Sequence, residues 1–237
     1  MVKTLRWWLT VCVLGVLVYF SYANGWLLPL YEKDATMITY LITIVFGATT
    51  LSLGYKSAFD KPWTSDEIAR IFEENIDAYV LDENGDRTNN DPRSINPEID
   101  YENLPIYVDK KDGNVNGYAI PISGKGLWST LYGYFAIEPD GITAKGITFY
   151  AHKETPGLGG EVDKPWFQKN FIGKRFIDEK GNLIGIKVIK GKADPDSPHE
   201  VDGISGATIT SKGLESFLID DLRKYEPFFL KVRDGDL

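Results

Sequence analysis

Apolar and polar positions divide the chain into two parts of different kind. Residues 7–30, "WWLTVCVLGVLVYFSYANGWLLPL", hold no charged side chain and are long enough to cross about 30 Å of hydrocarbon as a helix. A second uncharged run, residues 36–55, is weakened by five threonines. Lys3 and Arg6 precede the first run, and Trp7 and Trp8 stand at its edge, where amphipathic rings favour the membrane interface. The pattern predicts a membrane anchor of one or two transmembrane helices over residues 1–60, in contact with lipid, and a folded domain over 61–237. A signal peptide with "MVKTLR" as its charged region and cleavage after Ala23 competes with that reading, but the apolar stretch resumes at Trp26. Two spans from a cytoplasmic N-terminus return the domain to the cytoplasm, and a single span places it outside. Lys56 and Lys61 lean toward the first arrangement, on a thin charge bias.

Beyond residue 65 the periodicities shorten. "SDEIARIFEEN" (65–75) has the acidic start and apolar spacing of an amphipathic helix, with Ser65 placed to cap it. "IDAYVLDENGD" reads as a strand running into a turn, followed by a polar loop over residues 82–100 rich in Asn, Asp and Pro. Five strand-like runs follow: "PIYVD", "VNGYAIPI", "TLYGYFAI", "ITAKGITFYA" and "LIGIKVIK". The clusters "KKDGN", "EPDG" and "EKGN" separate several of them. The last helix is predicted in "SKGLESFLIDDLRKY", starting near Thr210 or Ser211, with Leu214, Phe217, Leu218 and Leu222 along one face. The predicted class is α+β, a mostly antiparallel sheet with few helices.

Charge and composition narrow the chemistry. A formal net charge of −8 argues against nucleic acid as a partner, because phosphates demand a basic surface. Cys12 is the single cysteine and lies in an apolar run, so the chain builds no disulfide, haem attachment or thiolate cluster by itself. His152 and His199 give little material for a histidine metal site or a Ser-His-Asp triad. "PGLGGEV" has Val162 where the third glycine of a dinucleotide fingerprint belongs. "SGKGLWS" lacks the spacing glycine and the Ser/Thr after the lysine of a P-loop.

One stretch, "VDGISGATITSKG" (201–213), sets four hydroxyls (Ser205, Thr208, Thr210 and Ser211) among glycines and Ala207 just before the last helix. Small residues leave backbone N–H groups open at a helix start, which favours a phosphate. A hydroxyl there is also a point of covalent attachment, and ordinary Ser/Thr helix capping is the competing reading. "HKETPGLGGEV" (152–162) and "GKGLWSTLYGY" (124–134) add small-residue turns, with Trp128 and Leu158 available to wall an aromatic ring. Trp128 reads first as a core residue, and Lys190 and Lys192 read first as solvated lysines, with contact to an anionic ligand as the second reading.

The segment "DGISGATIT" matches the pattern Asp-x-x-Ser/Thr-Gly-Ala-Thr of FMN-binding domains. With "GKGLWSTLYGY" and "ETPGLGGEV", residues 66–225 resemble the C subunit of the Na+-translocating NADH:quinone reductase family, more closely than the G subunit of the Rnf complex. The resemblance implies a covalent FMN whose phosphate is esterified to Thr208 by a flavin transferase. It places Ser205, Gly206, Ala207 and Thr210 around the phosphate, and Trp128, Glu154, Thr155, Gly157 and Leu158 toward the isoalloxazine. Asp202 matches the acidic position that the transferase reads. It further implies an electron-carrying subunit of a multisubunit membrane oxidoreductase in the bacterial inner membrane. That subunit is inactive alone, has one N-terminal span, and faces the periplasm with its FMN domain. An Rnf-type subunit, or a free-standing membrane-anchored FMN carrier, is the alternative.

Overall fold

The structure, a computed structural model, describes residues 65–236 apart from 97–99 and 101. Both apolar runs of the predicted anchor lie outside the described residues. No helix among those described is long and apolar enough to cross a membrane.

Helix α1 (Ser65–Asn75) leads directly into strand β1 (Ile76–Leu81). Strands β2 (Leu104–Lys111), β3 (Asn114–Lys125), β4 (Thr130–Ile137) and β5 (Ala144–Ala151) then form a five-stranded antiparallel meander in chain order. Alternation sets the faces. Leu104, Ile106 and Val108 of β2, Tyr118, Ile120 and Ile122 of β3, and Leu131, Phe135 and Ile137 of β4 all enter the same buried core. Register keeps them in layers, with Ile120 opposite Phe135 and Phe135 opposite Ile147.

The core face is covered by helix α3 (Thr208–Asp234), whose buried positions Leu214, Phe217, Leu218, Leu222, Tyr225, Phe228 and Phe229 recur at helical spacing. Each fully buried ring of this kind stabilises the fold by about 1.5–3 kcal/mol. Between β5 and α3 the chain forms short helical turns, including α2 (Pro165–Gln168), and a parallel pair of two-residue strands, β6 (Lys187–Val188) and β7 (Glu200–Val201). Phe167, Phe171 and Phe176 from this segment are fully buried, the last against Phe135 at 5.9 Å between ring centroids.

Two glycines bring the start of α3 close to the end of β3. A Cβ on Gly124 would lie 2.2 Å from the side chain of Phe217, and one on Gly213 would lie 2.2 Å from the carbonyl oxygen of Lys125. Asp221 fixes the pairing further along, accepting from Ser123 N–H at 2.9 Å and Lys224 Nζ at 2.7 Å. The N-terminus of α3 therefore emerges beside the loop that joins β3 to β4.

Three boundaries differ from the sequence reading. Strand β5 starts at Ala144, because the Asp140 carboxylate holds the N–H groups of Ile142 and Thr143 in a turn at 2.8 and 2.9 Å. "LIGIKVIK" yields only Lys187–Val188, since Gly185 adopts a φ of 74° and the N–H groups of Ile184 and Gly185 both bond to the Phe176 carbonyl. Helix α3 begins at Thr208 and runs through Pro227 to Asp234. Proline removes one N–H, but Phe228 and Phe229 pack edge-on against Tyr118, each at 5.6 Å, and carry the helix onward.

Candidate functional site

The loop 126–129 is closed by a hydrogen bond from Gly126 N–H to the Ser129 carbonyl at 2.8 Å. Its N–H groups turn inward onto one carboxylate. Glu154 Oε1 accepts from Trp128 N–H at 2.8 Å and Ser129 N–H at 2.9 Å, while Oε2 accepts from Leu127 N–H at 3.3 Å and the Thr210 hydroxyl at 2.7 Å. Glu154 is 5% exposed. Burial pushes its carboxyl up, but the Thr210 hydroxyl and the N–H groups of Ser129, Trp128 and Leu127 outweigh that and hold it below its ordinary 4.5. The Ser129 hydroxyl in turn accepts from Lys153 N–H at 2.7 Å, tying the loop to the chain just ahead of Glu154.

Beyond Glu154 the chain reverses over Thr155-Pro156-Gly157-Leu158. Leu158 N–H donates to the Thr155 carbonyl at 3.1 Å, and Gly157 takes a φ of 77°. This is a type II turn, with proline and glycine at the positions where each is preferred. The turn presents Leu158 outward, 42% exposed, next to the backbone of Gly206, where an added Cβ would lie 2.7 Å from Leu158 Cδ2.

A second turn of the same kind delivers the hydroxyl cluster. Ala207 N–H donates to the Ile204 carbonyl at 3.1 Å around Ser205 and Gly206, and Gly206 has a φ of 73°. Helix α3 follows with Ala207 as its N-cap and no side chain capping it. Ordinary Ser/Thr capping is thus absent at this helix start. Of the four hydroxyls, Ser205 and Thr208 are exposed, whereas Thr210 and Ser211 are buried. Ser211 Oγ has no hydrogen-bond partner, and Thr210 is committed to Glu154.

The structure thus gathers the predicted residues from three separate stretches, but in two tiers. Thr208, Ser205, Gly206, Trp128 and Leu158 reach the surface. Thr210, Glu154 and Ala207 lie beneath it. Trp128 is not a core residue: it is 69% exposed, because the Glu154 carboxylate holds its backbone inward. Thr155 contributes its carbonyl, accepting from Leu158 and from Gly160 N–H at 3.0 Å, and Gly157 contributes its conformation. Asp202 is paired with Lys192 and accepts from Ala193 N–H at 2.8 Å. Both partners hold its carboxyl low, Lys192 foremost. Lys192 accordingly answers Asp202, with its side chain otherwise in solvent.

Sequence reasoning missed Ser129, Gly126, Gly159 and the exposed Ile209. The glycines stood inside the quoted motifs. A Cβ on Gly126 would fall 2.7 Å from Glu154 Oε1, and one on Gly159 would fall 2.5 Å from Oε2. Ile209 is 60% exposed at the second position of α3, where helical spacing gives an apolar residue no core partner.

Comparison with known proteins agrees with this geometry. The FMN-binding domain family matches residues 126–220, from the glycine that opens the Glu154 loop to the middle of α3. The C subunit of the Na(+)-translocating NADH-quinone reductase of Yersinia pestis is 45% identical over 138 residues, 56% of this chain and 51% of that protein. The same subunit of Pseudomonas aeruginosa is 43% identical over 136 residues, 55% of this chain and 52% of that one. The chain spans about half the length of the curated relatives it matches. Among solved structures, Shewanella oneidensis NqrC superposes with a TM-score of 0.68 at 26% identity, covering 84% of this chain and 96% of the other. The C subunit of the Parabacteroides distasonis Na(+)-translocating NADH-quinone reductase gives 0.64 at 28%, covering 84% and 98%. The two turns and the loop clamped on Glu154 therefore lie within the stretch that matches the FMN-binding domain family, in a chain similar in sequence and fold to the C subunits of the Na(+)-translocating NADH-quinone reductases.

Proposed function

We propose that the chain is an electron-carrying subunit of a membrane Na+-translocating NADH:quinone reductase, with FMN esterified through its phosphate to Thr208. The observation that carries this reading is the start of α3. There an exposed threonine hydroxyl stands beside helix N–H groups that no side chain caps, next to an outward-facing Leu158.

The residues present fit the cofactor. Uncapped N–H groups at a helix start carry partial positive charge and suit a phosphodiester anion. Gly206 and Ala207 keep bulk away from that anion, and Ser205 adds a hydroxyl donor at the rim. Trp128 and Leu158 offer exposed apolar surfaces to the ring system, which supplies reversible electron uptake. The ester to Thr208 would prevent loss of the cofactor, and the exposure of Thr208, Trp128 and Leu158 would leave it within reach of a neighbouring redox centre. In this reading NADH oxidation and quinone reduction belong to other subunits of the complex.

Attachment requires an activated flavin phosphate. The Thr208 oxygen forms a new P–O bond as the phosphoanhydride bond of a flavin dinucleotide breaks. The nucleotide departs, and the hydroxyl proton passes to solvent. A flavin transferase is the partner for that step, and Asp202 with its ordered loop is the acidic feature it reads. The anchor over residues 1–60 sets the chain in the bacterial inner membrane with the domain on the periplasmic side.

The test is purification of the tagged full chain from membranes after coexpression with a flavin transferase. A fluorescent band under denaturing conditions, together with co-purifying quinone reductase subunits, supports the reading. A dark band from cells whose transferase labels a control protein overturns it.

A further inference from the structure

Glu154 matches a position expected at the flavin ring, yet its carboxylate lies beneath the exposed residues. Five donors converge on it: the N–H groups of Trp128 and Ser129 and, at 3.5 Å, the Ser129 hydroxyl on Oε1, and the Leu127 N–H and the Thr210 hydroxyl on Oε2. None of these donors carries a charge, so dipoles alone balance a side chain that is 5% exposed. The surrounding chain leaves room for this group and nothing larger, since a Cβ at Gly126 or Gly159 would strike one oxygen or the other. A glutamine of the same shape offers one carbonyl oxygen. Its NH2 group would face N–H or O–H donors on the other side.

We propose that Glu154 is the positioning residue of the flavin site. Ionised, it clamps the Trp128 loop onto the start of α3 before any cofactor arrives, and its negative charge, met by dipoles and by no cationic donor, makes the attached flavin harder to reduce. The clamp concerns the chain by itself, while the effect on reduction rests on the FMN reading above. Several charge-assisted hydrogen bonds released together are worth more than any single one, and the donors left behind are buried at Thr210 and part-buried at Leu127, Trp128 and Ser129.

The test uses the full chain in detergent, as wild type, Glu154→Gln and Thr210→Val. In flavin-free protein, amide hydrogen exchange at residues 127–129 is expected to be at least about tenfold faster in Glu154→Gln than in wild type, with Thr210→Val between them. Equal exchange in wild type and Glu154→Gln overturns the clamp. Should Glu154→Gln not fold, Thr210→Val decides it, because unchanged exchange at Leu127, which shares Oε2 with Thr210, overturns it as well.

In flavin-loaded protein, the midpoint potential is expected to become more positive in Glu154→Gln, where the charge is gone. It is expected to become slightly more negative in Thr210→Val, where the charge stays and loses one compensating dipole. Shifts of the same sign in both variants, or none in Glu154→Gln, overturn the electrostatic half. A wild-type chain that takes no flavin overturns the FMN reading and that half with it, while the exchange data still decide the clamp.

Discussion

Replacing Gly159 by alanine tests the geometry beneath the site with a single methyl group. The added Cβ would lie 2.5 Å from Glu154 Oε2, 2.6 Å from Thr210 Oγ1 and 3.1 Å from Glu154 Cβ. Neither oxygen is at the end of a free side chain, for they bond to each other at 2.7 Å and Oε2 also accepts from Leu127 N–H. Relief requires turning the carboxylate, which forfeits a charge-assisted hydrogen bond worth roughly 1.5–3 kcal/mol and leaves a part-buried N–H poorly satisfied at about 1 kcal/mol more. Alanine lowers the entropy of the unfolded chain and returns about 0.4–1 kcal/mol. The net cost is about 1.5–3.5 kcal/mol. For a domain of this size that corresponds to a fall in melting temperature of roughly 3–14 °C. Gly157→Ala is the control: φ is 77° but nothing lies within 4 Å of the added methyl, so the cost is backbone strain of about 1–2 kcal/mol. Thermal unfolding followed by tryptophan fluorescence, with flavin attachment yield on the same samples, reads both effects. Gly159→Ala is expected to lose more stability and more attachment than Gly157→Ala. A Gly159→Ala protein that melts with wild type, or a reversed order of the two variants, would refute the reasoning.

Further expectations follow from the same contacts. The Glu154 carboxyl is held low, so its stabilising contribution is fully present above its ordinary value of 4.5 and is lost as pH falls through the folded value. The gap in melting temperature between wild type and Glu154→Gln should therefore be widest near neutral pH and close in acid; a gap independent of pH would contradict this. Thr208→Ser keeps an exposed hydroxyl and is expected to retain attached flavin, whereas Thr208→Val keeps the shape and loses it, as read by fluorescence in denaturing gels. Asp202→Asn removes the partner of a lysine side chain that is 87% exposed, so its cost is expected to stay within about 1 kcal/mol. On the chain by itself its effect should be faster hydrogen exchange at Ala193, whose N–H bonds to Asp202, while attachment yield should fall where the transferase reads the acidic position.

The meander was legible because alternation and turn chemistry agree along β2, β3 and β4: inward Tyr118, Ile120 and Ile122 are bracketed by "KKDGN" and a glycine-bearing loop. Where a side chain captured backbone donors, as Asp140 does before β5, the apolar pattern continued but the ladder did not. The last helix runs past the predicted end at Tyr225, since the packing of Phe228 and Phe229 outweighs the hydrogen bond that Pro227 removes. The open turn of small residues and hydroxyls ahead of α3 was legible, and Glu154 and Thr210 were named from the resemblance, but the bond between them was not. The donors to Glu154 include three backbone N–H groups from a loop 25 to 27 residues earlier and a hydroxyl 56 residues later, and backbone donors have no sequence signature. Exposure of Trp128 follows from that clamp, so it could be read only once the clamp was seen.

The central claim is that Thr208 carries the cofactor, and peptide mapping by mass spectrometry tests it most directly. The full chain, coexpressed with a flavin transferase and digested, is predicted to yield one peptide spanning Ser205–Lys212 that is heavier by FMN less one water, with fragmentation placing the addition on Thr208. The same peptide from Thr208→Val should be unmodified. An unmodified wild-type peptide, beside a control protein labelled in the same cells, or an addition placed on Ser205, Thr210 or Ser211 instead, would contradict the account.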